Sequence, residues 1–321
     1  MDRNLALEAV RITESAALAA AQHVGLGDEK AADEAAIGAM VRAFDGLIMD
    51  GRVVIGEGIE AVAPQLYLGQ RLGNGNGPKL DIALDPLEGV TIAANCGYNA
   101  LSVVAFAEEG GFLKVPDIYM DKIAVGGRNL PVDLVDLDAR PAENLANIAK
   151  AKGVAVSDLL VCILDRPRHE EMIGYVREAG AHVMLISDGD VSGVIATAMP
   201  ESRIDVYMGW GGAPQGILAA AALRCLGGRM QGRLVVRSED DRMKARQCDI
   251  SDFGGKFCDD QMVRGPVMMA VTGVTDGVIV DGVQRLTGGA ITHSWVMRSK
   301  TGTLRHIRSR HDFVRKASGG R

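Results

Sequence analysis

A chain of 321 residues, 47% apolar and 24% charged, has an ordinary globular composition and is long enough for one large domain or two mid-sized lobes. A net charge of −6 leaves no footprint for nonspecific nucleic-acid binding, and 4% aromatics argue against a base-stacking surface. No apolar run approaches the roughly 18 residues of a membrane span.

Residues 3–24 put Leu5, Ala9, Ile12, Ala16, Ala19 and Ala20 on one helical stripe. Asp28 is a candidate cap for a second helix reaching about residue 48, with Ala32, Ala36, Met40, Phe44 and Leu47 inward and Asp33 in its first turns. A short strand at 52–55 runs into Gly56-Glu57-Gly58. The strand at 80–84 reads as ending at a tight acidic turn, Asp85-Pro86-Leu87-Glu88-Gly89, and a longer apolar strand covers 100–106. The polar stretch 128–142 is a candidate lobe junction, dividing the chain into 1–130 and 131–321.

Beyond it the rhythm becomes βαβ: strands at 159–164, 182–186 and 204–208 alternate with helices at 169–179, 191–199 and 216–226. Such alternation predicts a parallel or mixed sheet covered by helices, with ligands at the C-terminal strand ends. Those ends carry Asp165-Arg166-Pro167-Arg168, Asp188-Gly189-Asp190 and Gly211-Gly212-Ala213-Pro214-Gln215. Residues 238–260 read as a charged surface helix and loop. Strands at 267–271, 291–297 and 303–307 close the chain before a tail, 315–321, expected to fray.

The N-terminus lacks the n-region and h-region of a signal peptide. Five cysteines without a C-x-x-C pair point to a reducing cytoplasm, with Cys162 and Cys225 in apolar runs read as core. Cys248 and Cys258 with His306 and His311 match no zinc spacing.

Asp33, Glu57, Asp85 and Glu88 sit at strand and helix ends. Clustered carboxylates repel unless a cation neutralises them, and all-oxygen ligands suit a hard divalent ion. Taken singly each is equally a solvated turn acid; Asp85 with Glu88, after an apolar strand, favours metal. Arg166 and Arg168 around Pro167 can clamp a phosphate, or be ordinary surface arginines on a fixed turn. Asp188-Gly189-Asp190 before a helix offers amides to an anion or acids to sugar hydroxyls, or merely caps the helix. Tyr119 can hydrogen-bond a phosphate or sugar, or be simply half-buried. A basic cluster at Arg305, Arg308 and Arg310 can bind a polyanionic effector, or be a solvated edge-strand face, the reading favoured.

Taken in order, V-V-I-G-E-G at 53–58, D-x-A-x-D-P-x-E-G at 81–89, P-D-I-Y-M-D-K-I-A-V-G at 116–126, C-I-L-D-R-P-R-H at 162–169, I-S-D-G-D-V at 186–191, G-G-A-P at 211–214 and T-H-S-x-V-M-R-S-K-T-G-T at 292–303 resemble the class II fructose-1,6-bisphosphatases of bacteria over nearly the whole chain. The resemblance implies an α/β fold, the layered α/β/α/β/α sandwich of the lithium-sensitive sugar phosphatases. It implies hydrolysis of the 1-phosphate of fructose 1,6-bisphosphate with Mg²⁺ or Mn²⁺, in a homo-oligomer (dimer or tetramer). Metal ligands carry over to Asp33, Glu57, Asp85, Glu88 and, in part, Gln215. Substrate contacts carry over to Glu88, Gly89, Val90, Tyr119, Arg166, Pro167, Arg168, Asp188, Gly189, Asp190 and Gly212.

The chain departs from the family pattern inside these motifs. Val90 stands where the family usually has a water-orienting Thr, with Thr91 adjacent as the remaining hydroxyl. Ile59, Ala61 and Val62 stand where acids are usual, and Gln215 replaces a Glu ligand. Three readings follow: an active bisphosphatase, a catalytically impaired homologue that binds sugar phosphate as a regulatory or partner subunit, and a phosphatase for another ester, the last resting on Ile59, Ala61, Tyr98 and Trp210.

Overall fold

A computed structural model describes residues 5–318. The first half runs α1 (Leu5–Ala20), α2 (Glu29–Phe44), β1 (Asp50–Ile55), β2 (Arg71–Leu72), β3 (Lys79–Glu88), α3 (Val90–Ala94), β4 (Leu101–Glu108), β5 (Tyr119–Gly126) and α4 (Pro141–Lys152). Then come β6 (Leu160–Leu164), α5 (Glu170–Glu178), β7 (His182–Ile186), α6 (Asp190–Thr197), β8 (Val206–Gly212), α7 (Ala213–Leu226) and β9 (Gly228–Leu234). The chain closes with α8 (Glu239–Gln247), β10 (Phe257–Cys258), α9 (Asp259–Met262), β11 (Val267–Gly273), β12 (Gln284–Leu286), β13 (Gly289–Arg298), β14 (Thr303–Asp312) and α10 (Phe313–Ser318). The expected α/β class is observed. Of the tail expected to fray, residues 315–318 lie in α10 and 319–321 lie outside the described residues, as do residues 3 and 4 of the first predicted helix.

The chain divides into two compact units, one of Met1–Glu109 with Met268–Arg321 and the other of Gly110–Val267. Where the sequence places one junction near 130, the last three long strands return to the first unit. Their hydrogen bonds explain why: β11 continues the first unit's sheet beside β4, in the order β12-β13-β11-β4-β3-β1-β2, with β14 on the other side of β13. A composition shift along the chain carries no record of such a return.

In unit 1, α1 and α2 cover this sheet. Asp28 caps α2 as expected, accepting from Ala31 N at 2.9 Å. The helix stops at Phe44 rather than near 48, because Gly46 takes a left-handed turn at φ 79°. Phe44 and Phe106 meet edge to face in the core at 6.3 Å. The α1 stripe is broader than its apolar periodicity: Thr13 and Glu14 are buried while Ala19 is half-exposed. Thr13 Oγ1 bonds Thr272 Oγ1, which bonds Ser294 Oγ, each at 2.7 Å, and Thr292 donates to Glu14 at 2.7 Å. Buried polar side chains on β11 and β13 thus require the two polar residues on α1.

In unit 2 the sheet order is β10-β9-β5-β8-β6-β7. Strands β8, β6 and β7 run parallel, whereas β5 is antiparallel to both β8 and β9. The sheet is therefore mixed. After β6 the chain goes to β7 on one side and then to β8 on the other, so the β6/β8 boundary is a topological switch point, the usual crevice for a ligand in open α/β sheets. Strand β8 extends through Gly212, four residues past its predicted end, and α7 starts at Ala213. Among the described residues no helix is long and apolar enough to cross a membrane.

Candidate functional site

In unit 1, β1 and β3 run parallel, with Ile55 opposite Ala83, so Glu57 and Asp85 emerge at the same strand ends. The acidic motif is not a turn beyond the strand, as the sequence reading has it. Strand β3 continues through Asp85-Pro86-Leu87-Glu88, with a register irregularity between Asp85 and Glu88 against β4. Proline cannot donate to the ladder, and a bulge is where a strand accommodates it. The chain turns at Gly89, φ 86°, whose absent Cβ would press on Ile92 at 3.1 Å. Glu88 is buried and Asp85 half-buried.

Asp33 sits half-buried in the first turns of α2, which packs on β3. Burial, then the neighbouring Glu34, hold its carboxyl above the usual carboxylate range. Among the described residues, no group of three or more His, Cys, Asp or Glu side chains is gathered as a metal site. The donor chemistry of Asp33, Glu57, Asp85 and Glu88 nonetheless fits a hard divalent cation, being all carboxylate oxygen, and a positive charge beside Asp33 would reverse the penalty that burial and Glu34 impose.

Val90 and Thr91 open α3, where Val90 is half-buried and Thr91 exposed. Thr91 O accepts from Asn95 Nδ2 at 2.9 Å. Ile59, Ala61 and Val62 lie on an exposed turn closed by Val62 N and Ala63 N on Ile59 O, both at 2.9 Å. Tyr98 is exposed in the same unit.

In unit 2 the expected loops converge. The register pairs Tyr119 with Gly212, so the start of β5 lies at the C-terminal end of β8. Arg166, Pro167 and Arg168 leave the end of β6, and Asp188-Gly189-Asp190 the end of β7. Arg168 Nη2 donates to Trp210 O at 2.8 Å, and its guanidinium carbon lies 4.7 Å from the Tyr119 ring centre. Asp188 Oδ1 accepts from Gly189 N at 3.0 Å, fixing the turn in which Gly189 takes φ 86° before α6.

Two residues that hold this end together escape the sequence reading. Lys122, in the middle of β5, is only 1% exposed. Its ammonium pairs with the buried Asp190 and donates to Gly212 O at 3.0 Å, tying two expected substrate contacts to one cation. A Cβ at Gly211 would overlap Asp190 Oδ2 and crowd the Lys122 ammonium, so the G-G of the motif makes room for this pair. His169, after the R-P-R run, is also buried. Its Nε2 accepts from Trp210 N and its Nδ1 donates to Leu164 O, both at 2.8 Å. An amide donating to Nε2 requires the proton on Nδ1, which makes the ring a neutral bridge from β6 to β8. Burial, and then Arg168, Arg166 and Lys122, lower its pKa against the opposing bond to Leu164 O. The available signals were a Lys inside an apolar strand pattern and a His directly after an anion-binding turn.

Gln215 occupies the first turn of α7, its Oε1 folded over Gly212 at the helix cap, where a Cβ would overlap it. Cys162 and Cys225 are buried as expected; burial, and then Asp190, push the Cys162 thiol up to about 12, which leaves it unreactive. His311 bonds Thr292 at 2.8 Å and His306 stacks on Trp295 at 4.8 Å, so both imidazoles serve the sheet of unit 1.

The family described as bacterial fructose-1,6-bisphosphatase, glpX-encoded, matches residues 3–311. The chain is 40% identical over 329 aligned residues, covering 98% of it and 97% of the relative, to fructose-1,6-bisphosphatase 1 class 2 of Escherichia coli strain K12. Identity and coverage are the same to the class 2 fructose-1,6-bisphosphatases of Escherichia coli O6:H1 and Shigella flexneri.

Proposed function

This chain belongs to the bacterial, class 2 fructose-1,6-bisphosphatase family, and from that premise we propose that it hydrolyses the 1-phosphate of fructose 1,6-bisphosphate with Mg²⁺ or Mn²⁺. The observation that carries the reading is the gathering of Tyr119, Arg166, Arg168, Asp188, Asp190 and Gly212 at one end of the unit 2 sheet, in a family whose full-length relatives bear that name. Asp33, Glu57, Asp85 and Glu88 would hold the cation. A divalent cation there supplies Lewis-acid neutralisation of the phosphoryl group and of the leaving oxygen.

The chain's own residues do the rest. Arg166 and Arg168 match phosphate oxygens with planar guanidinium forks and offset their charge. The half-buried Asp188 carboxylate accepts from sugar hydroxyls. Lys122 holds both the Asp190 carboxylate at the start of α6 and the Gly212 carbonyl at the end of β8, so the sugar meets a preset wall. Water attacks phosphorus in line, the P–O1 bond breaks, and fructose 6-phosphate leaves once its O1 has gained a proton. Val90 offers no hydroxyl to orient that water, and Thr91 is the nearest hydroxyl in sequence, so turnover is expected to rise in Val90→Thr. The relatives' names favour this reaction over a binding subunit without turnover. A cytoplasmic homo-oligomer belongs to the same proposal, as does a chain whose 1–130 segment brings the acids and whose 131–321 segment brings most sugar-phosphate contacts.

The test is product identity. Fructose 1,6-bisphosphate incubated with the protein and Mn²⁺ should yield fructose 6-phosphate and phosphate in equal amounts. Accumulation of fructose 1-phosphate, or no product, would refute the reading.

A further inference from the structure

We propose that unit 1 carries an anion site of its own, a cavity at the edge of its sheet that binds a tetrahedral oxyanion of the phosphate type through Arg308, His293 and His306. No step of the reaction assigned above uses these residues.

The arginines of β14 are separated by the strand register. Arg308 pairs with His293 and His306 with Trp295, whereas Arg305 turns to the opposite face of the strand. On β13, Thr292 and Ser294 bond to Glu14 and Thr272, so His293 and Trp295 point away from α1. Directly opposite and diagonal neighbours put His293, Arg308 and His306 within about 8 Å of one another. Along the sheet order, this place is three to four strands from Glu88 on β3, roughly 14–19 Å.

Between these strands and residues 277–281 lies a cavity of about 250 Å³, lined by Val280, Asp281, His293, Trp295, His306 and Arg308 among others. It is smaller than the ~300–1,000 Å³ of most small-molecule pockets and suits an ion or one charged group. Its loop wall is preset. Asn99 N donates to Asp276 O at 2.9 Å, Asn99 Oδ1 accepts from Val278 N at 2.7 Å, and Asp276 Oδ1 accepts from Gly282 N at 2.9 Å. The stack of His306 on Trp295 forms the opposite wall.

Inside this frame His293 Nε2 is buried and makes no hydrogen bond, which a ligand atom would correct. Asp281 lies 3.7 Å from the other ring nitrogen, Nδ1, and directs its proton outward. Nε2 then accepts from a protonated phosphate oxygen or, as imidazolium, donates to a charged one. Among the described residues Arg308 is in no ion pair, so its fork is open to an anion. The Asp281 carboxylate opposes an anion, but it is 64% exposed and screened by water. A cation is the poorer occupant, because these side chains are not gathered as a metal site. Nitrogen groups from three positions fit the several oxygens of a tetrahedral oxyanion better than the two of a carboxylate.

Trp295 lines the cavity and supplies the readout. In a Trp210→Phe background it is the remaining tryptophan, and it lies in unit 1, so phosphate held by unit 2 does not bear on it directly. Inorganic phosphate is titrated in EDTA at constant ionic strength, with chloride as the control salt, and Trp295 emission and the imidazole proton resonances of His293 and His306 are followed. The expected result is a saturable change with half-saturation at about 1–10 mM, shifted about tenfold or more upward by Arg308→Gln and unchanged by Arg305→Gln on the opposite face. His293→Gln should weaken binding less than Arg308→Gln, because it removes no full charge. Methyl phosphate in place of inorganic phosphate identifies the source: an equal response assigns the site to a phosphate ester, and a response to inorganic phosphate alone assigns it to the free ion. Emission and imidazole resonances that respond to phosphate no more than to chloride overturn the site, as does a phosphate response that Arg308→Gln leaves intact.

Discussion

The two units prepare their functional residues in opposite ways. At the end of the unit 2 sheet the chain supplies its own counter-charge and bridge: Lys122 holds Asp190 and Gly212, and the neutral His169 ties β6 to β8. In unit 1, the chain works against the charge of Asp33, through burial and through Glu34. The first arrangement is preorganised by internal hydrogen bonds, which suits a sugar phosphate that must be positioned. The second suits a hard cation, whose charge the protein itself does not provide.

Breaking the internal counter-charge should have the largest effect. Lys122→Met leaves Asp190 buried without its cation and should destabilise unit 2 by about 3–5 kcal/mol. Trp210 and Trp295 are the two tryptophans of the chain, one in each unit, so urea unfolding followed by fluorescence in a Trp295→Phe background reports on unit 2. A midpoint within error of the parent would mean that the pair is not holding this end.

A smaller effect is expected at Asp33. Without divalent cation, Asp33→Asn should be as stable as the wild type or more so, by about 0–1 kcal/mol, because it removes a charge that the fold disfavours. With Mn²⁺ at about 100 times its Kd, the wild type should gain about 2.7 kcal/mol and the variant much less. Thermal shifts with and without Mn²⁺ read both signs. An equal Mn²⁺ gain in the variant would detach Asp33 from the cation.

The smallest effect is the pH response of His169. Its folded pKa lies below the ordinary 6.5, so the folded state prefers the neutral ring. The stability this contributes is complete above 6.5 and is lost as pH falls through the lowered value, because an imidazolium cannot accept from Trp210 N. Urea midpoints of unit 2 measured from pH about 7.5 down to about 5 should decline more in the wild type than in His169→Gln, whose amide does not titrate. Parallel curves would contradict the bridge.

The comparison also explains what could be read from the sequence. The apolar strands at 80–84 and 159–164, the βαβ alternation and the capping Asp28 are local signals, and they reappear as β3, β6, the helices between the parallel strands and the start of α2. Strand β5 passed unread because Lys122 interrupts its apolar pattern, and β9 because Gly228-Arg229-Met230-Gln231-Gly232-Arg233-Leu234 alternates with Gly and Arg instead of plain polar residues. Both depend on partners distant in the chain. The same is true of the return of β11, β13 and β14 to unit 1. The motif residues were legible because their residue types are dictated by ligand chemistry. Lys122 and His169 were not, because their significance lies in Asp190 and Trp210, each reached only through the fold.

The most direct measurement is phosphate release from fructose 1,6-bisphosphate with Mn²⁺ or Mg²⁺ for wild type, Asp85→Ala, and Val90→Thr combined with Gln215→Glu. The account predicts wild-type turnover that EDTA or Asp85→Ala reduces by about 10²-fold or more, and faster turnover in the double variant. A silent wild type, or release indifferent to both EDTA and Asp85→Ala, would contradict it.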